Sequence, residues 1–116
     1  MNAVVKTTSG KVRGSFADGV TAFKGVPFAA PPFGATRFRP PQPVEPWNGV
    51  QDALAYGPTP ATIGLPPPFE VISPVIPGED CLNLNIWTSD IGGAGQPVMV
   101  WIPGGAFEAA AGASVW

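Results

Sequence analysis

Sixteen prolines and fifteen glycines among 116 residues restrict this chain more than any other feature. Proline fixes φ and removes a backbone donor, and glycine weakens regular elements, so turns and extended coil are expected to dominate and long helices to be missing. No Gly-x-y period accompanies them, which excludes a collagen-like chain. Hydrophobic residues still make up 45% of the chain and charged residues only 12%. That is the composition of a chain that buries surface, not of a disordered linker.

Within those limits the order of elements can be read. AVVKTT, KVRGSF and VTAFKG are three short β-rich runs. The Asp18-Gly19 pair between the last two is a hairpin signal, because both turn positions demand positive φ. Residues 1–24 are therefore expected to form an antiparallel meander. From 25 to 80 the prolines forbid helix interior and central strand, but Phe28, Phe33, Phe38 and Trp47 are too much apolar surface for a linker. An ordered coil is expected. Its second half, residues 57–78, carries Leu65, Phe69, Val71 and Ile76 and reads as a packed surface loop, with the rim of a pocket as the alternative.

Over 81–102 two strands are expected. In LNLNIWT, Leu82, Leu84 and Ile86 alternate with Asn83, Asn85 and Trp87, the period of a half-buried strand. PVMVWIP is continuously apolar, as in a strand covered on both faces of a large sheet. Residues 103–116 then supply a Pro103-Gly104-Gly105 turn and an end that stops in mid-pattern.

The formal charge is -2, and the six Lys and Arg residues are scattered. No basic patch exists for a phosphate backbone, so nucleic acid is not an expected partner. No stretch reaches the ~20 apolar residues of a membrane span, and the first twenty residues lack an apolar run of signal-peptide length. A cytoplasmic protein without a membrane partner is expected. Cys81 is the one cysteine, so no internal disulfide forms, and a buried small hydrophobe is its simplest reading. The chain has no histidine, which removes the commonest general base and metal ligand. No metal and no cofactor are expected.

Three blocks in order carry a resemblance. They are SGKVRG with AFKGVPFAAPPFGATRFRPPQPVEPWNGV, then GEDCLNLNIWT, then PVMVWIPGGAF. Together they are similar to the opening of the type-B carboxylesterases, the family of the cholinesterases and the para-nitrobenzyl esterases. The resemblance implies an α/β class, with this chain as the amino-terminal part of one α/β-hydrolase domain, itself mostly strand and Pro/Gly-rich coil. It also implies a serine ester hydrolase acting on a small carboxylic ester. The Gly-rich turn after the strand would hold the oxyanion, with the backbone N–H groups of Gly105 and Ala106 as donors and Gly104 supporting the turn.

The same resemblance implies a salt bridge between Arg37 and Glu79 closing the intervening loop. Where relatives pair Cys81 with an upstream cysteine, this chain has none, which fits the bacterial, intracellular branch. Two departures stand out. Pro103 replaces the usual His or Tyr before the glycine pair, and Ala110 occupies a usual glycine position. No Gly-x-Ser-x-Gly elbow occurs in the chain, so the Ser, acid and His must come from the remaining carboxyl-terminal part of the domain, on the same or a separate chain. Alone, the chain is expected to be inactive. A non-catalytic binding module, favoured by Pro103, and a truncated gene product without function are the alternatives.

Overall fold

Asp18 and Gly19 take φ of 50° and 79°, and the chain reverses there between two strands as the Asp-Gly pair predicts. The computed structural model describes residues 2–63, 65–68, 73–106, 109 and 111–114. Strand β1 spans Asn2–Lys6, β2 Lys11–Ala17, β3 Val20–Pro27, β4 Val50–Asp52 and β5 Asn83–Thr88. The first three form the antiparallel meander, with Val5 facing Val12 and Phe16 facing Thr21. β5 pairs antiparallel with β3, and β4 runs parallel to β2.

The far edge of β2 is shared. Ser15–Ala17 pair with β3, while Lys11–Arg13 pair with β4. Ala53 fills the join: its N–H donates to Arg13 O and its carbonyl accepts from Lys24 N, both at 2.8 Å. β4 is a correction to the expected coil of residues 25–80, as is the short 3-10 turn at Gly34–Thr36. β4 exists because the loop must satisfy the backbone groups that the meander leaves open on β2.

One face of the sheet holds a small core of Val12, Phe23 and Ala53, packed against Val5, Val26 and Trp47. Trp47 closes its rim by donating Nε1–H to Lys11 O at 2.9 Å. Between Phe23 and Val26 the β3–β5 register shifts. Such a bulge leaves one backbone group outside the ladder.

Two expectations for residues 81–102 are corrected. Residues 97–102 form no strand, and Val98, Met99, Val100, Trp101 and Ile102 are 84, 90, 77, 70 and 83% exposed. A strand of that composition requires partners on both edges and cover on both faces, and the described residues provide neither. In β5 the burial is the reverse of the expected one: Asn83 and Asn85 are half-buried, whereas Leu84 and Ile86 are exposed. The asparagine face meets loops that bind it, and the aliphatic face lies beyond the small core. Phe69 and Val71 of the 57–78 loop lie outside the described residues, while Leu65 and Ile76 are half-buried.

Candidate functional site

Gly105 has φ 145° and Ala106 φ 53°. The first is a backbone conformation that glycine adopts freely and other residues rarely do. The second puts an alanine in the left-handed region, at roughly 1 to 2 kcal/mol, which marks a turn held by its surroundings. The Gly105 carbonyl accepts from Ala109 N at 2.9 Å. Among the described residues, neither the Gly105 N–H nor the Ala106 N–H donates to a protein acceptor. A side chain built at Gly104 would meet nothing within 4 Å, so the turn is open on that side. Two N–H groups without an acceptor among the described residues, on a turn of small residues, can bind an anionic oxygen. Pro103, half-buried just before them, adds no donor. Ala110 lies outside the described residues.

The expected Arg37–Glu79 bridge is not formed. Both residues are exposed, and the ion pair among the described residues is Arg13–Asp52, at 3.0 Å between β2 and β4. The Arg37 guanidinium lies 4.9 Å from the centre of the Phe38 ring. Solvated charges gain little from pairing, so nothing in this environment draws the two together. The 57–81 loop is instead closed by Thr59 and Ile76. Thr59 N donates to Ile76 O at 2.9 Å, and Ile76 N returns a bond to Thr59 Oγ1 at 3.1 Å. Asn83 adds Nδ2 bonds to Pro58 O and Asp80 O, both 2.9 Å.

Cys81 is free and buried at the base of this loop. Burial pushes its thiol pKa up and the Asp80 carboxylate adds to the rise, against a hydrogen bond from its own backbone. It is a packing residue and not a nucleophile. Among the described residues no group of three or more His, Cys, Asp or Glu side chains could hold a metal ion, and no helix is long and apolar enough to cross a membrane. A depression of about 310 Å³ beside Ser9, Val26, Phe28, Val44 and Trp47 is lined by none of Gly104, Gly105 and Ala106 and by no described residue of the 57–78 loop.

The structure therefore keeps Gly104, Gly105 and Ala106 together, leaves Arg37 and Glu79 apart, and brings forward Thr59, Asn83 and Asn85. The half-buried asparagines were missed because period alone assigns the polar side of a strand to solvent. Their pairing at alternate positions within an apolar run was the one available signal.

The carboxylesterase family model matches residues 1–115. The chain is 43% identical over 110 residues to phenmedipham hydrolase of Pseudarthrobacter oxydans, aligning 88% of this chain with 21% of that protein. It is 43% identical over 114 residues to para-nitrobenzyl esterase of Bacillus subtilis strain 168, covering 94% of this chain and 22% of that protein. A solved structure of a PNB esterase superposes with a TM-score of 0.76 at 42% identity, over 90% of this chain and 22% of that one. The chain thus spans about one fifth of the length of the relatives it matches. The fold and the match from residue 1 to residue 115 together lead to one conclusion: this chain belongs to the carboxylesterase family.

Proposed function

We propose that the chain supplies the oxyanion turn of a serine carboxylic ester hydrolase. A serine hydroxyl from the remaining part of the hydrolase domain attacks the ester carbonyl. The carbonyl oxygen becomes negative in the tetrahedral intermediate, and the Gly105 and Ala106 N–H groups receive that charge. Collapse expels the alcohol and leaves an acyl-enzyme, which water then hydrolyses with the histidine as base. The observation that carries this reading is the pair of donors at φ 145° and 53°, unused by the described residues.

With no histidine and no Gly-x-Ser-x-Gly in its sequence, the chain by itself lacks nucleophile and base. The names of the matched relatives support an ester as substrate. A cytoplasmic setting belongs to the same proposal, supported by the single, unpaired Cys81.

Hydrolysis of a chromogenic short-chain ester by this chain alone and by the longest polypeptide its locus encodes tests the reading. Activity confined to the longer product is the expected result, together with a loss of about 100-fold or more in kcat when the Gly105 donor is displaced by Gly105→Val. Inactivity of both products would move the assignment to an esterase-like binding module.

A further inference from the structure

We propose that Asn85 is a positioning residue for the oxyanion turn, bridging the β3 bulge to Gly112; the inference rests on the ester-hydrolase reading above. The register shift in β3 leaves the Gly25 N–H outside the ladder, and it donates to Asn85 Oδ1 at 2.9 Å. The other end of the same amide, Nδ2, donates to Gly112 O at 2.9 Å. One side chain thus ties the bulged stretch of β3 to the segment that follows the turn. A carboxamide suits the task, since it offers an acceptor and a donor at opposite ends of one rigid group.

The segment that Asn85 holds is itself closed. Ser114 N donates to Ala111 O at 2.9 Å, and Ala111 N donates to Ser114 Oγ at 2.9 Å. Ser114 Oγ also lies 3.2 Å from Ser73 Oγ, and Ala111 is buried. A Cβ at Gly112 would stand 3.1 Å from Asn85 Nδ2, so glycine lets the backbone come this close. Two residues before Ala111, Ala109 N donates to Gly105 O at 2.9 Å, a bond made to the turn itself. On the other side of the turn, residues 97–102 are exposed and form no strand. Among the described residues the turn is therefore held from its carboxyl-terminal side, and Asn85 is the sheet's hold on it.

Asn83 provides an internal control. It is the same residue type on the same face of β5, two positions away, but its bonds run to Pro58 and Asp80 of the 57–81 loop and not toward the turn.

The test compares Asn85→Asp with Asn83→Ala in the longest polypeptide the locus encodes, read by hydrogen exchange and by hydrolysis of a para-nitrophenyl ester. Asn85→Asp keeps the acceptor for Gly25 but loses the donor and turns a carboxylate toward the Gly112 carbonyl. Exchange should rise in a peptide covering residues 103–112 and stay unchanged in one covering 20–27. The kcat should fall about 10- to 100-fold with KM within about twofold, since the donors are displaced and not removed. Asn83→Ala should leave the 103–112 peptide and kcat as they were. Wild-type exchange at 103–112 in Asn85→Asp overturns the proposal, and so does an equal loss of kcat in Asn83→Ala. An inactive wild-type protein overturns the ester-hydrolase reading instead, and the exchange comparison then decides the bridge alone.

Discussion

The run from Val98 to Ile102 dictates how the isolated 116-residue chain should behave in solution. Five consecutive apolar side chains are between 70 and 90% exposed. Burying each is worth about 1.5 to 3 kcal/mol, so covering all five releases roughly 7 to 15 kcal/mol. A dimer buries the run on both copies, roughly 15 to 30 kcal/mol in all, against on the order of 4 to 15 kcal/mol in lost freedom, which leaves enough to drive self-association, especially where unpaired backbone offers edge-to-edge pairing. Replacing Val98 and Val100 by lysine removes roughly 3 to 6 kcal/mol of this and adds like charges. At about 1.4 kcal/mol per tenfold, the concentration at which the chain associates should rise at least 100-fold. Sedimentation velocity over about 1 to 100 µM, which spans dissociation free energies of roughly 5.5 to 8 kcal/mol, reads the effect directly. A wild-type chain that stays monomeric throughout, or a double lysine variant that associates at the same concentration, would refute the reasoning.

Four further outcomes are expected. Phe23→Ala empties most of the three-residue core at about 3 to 5 kcal/mol, a large share of the 5 to 15 kcal/mol that stabilises a typical domain. The cooperative guanidinium transition should disappear, and an unchanged midpoint would count against this core. Thr59→Val strips the acceptor from the Ile76 N–H and should cost about 1 to 3 kcal/mol, seen as faster exchange of that amide, with Thr59→Ser restoring protection. Glu79→Ala, at an exposed side chain outside any ion pair among the described residues, should shift stability by less than about 0.5 kcal/mol in a urea titration. For Cys81 the folded-state thiol pKa is raised by burial, so the unfolded chain releases the proton first. Stability is full below about pH 8.5, the ordinary thiol value, and declines as pH rises from there through the raised one. Alkylation by iodoacetamide at neutral pH should be slower than that of a free thiol, and equal rates would contradict the burial.

Local rules made much of the sheet legible. Asp18-Gly19 announced its hairpin because positive φ at two successive positions is a property of the residues themselves, and the alternating runs before and after it became β2 and β3. The turn at Gly104 and Gly105 was legible for a related reason: Gly105 sits at a φ that other residues avoid. Residues 97–102 were not legible in the same way. Their composition states what environment they need, but strand formation depends on neighbours that the described residues do not supply. The Arg37–Glu79 bridge failed similarly, since a charge pair forms only where burial makes it worthwhile.

What the sequence by itself determined is the family of this protein and the local conformations its residue types demand: a proline- and glycine-rich strand-and-coil chain of the carboxylesterase family, with a tight turn at Gly104 and Gly105. Turn chemistry and motif spacing are short-range properties, so they survive in the one-dimensional record. Only the tertiary structure decided that β4 would fill the open edge of β2, that Thr59 and Ile76 would close the loop, and that Asn85 would reach both Gly25 and Gly112. Those contacts join residues up to 60 positions apart. A hydrogen bond over that distance depends on where the whole sheet carries its two ends, which no local pattern encodes.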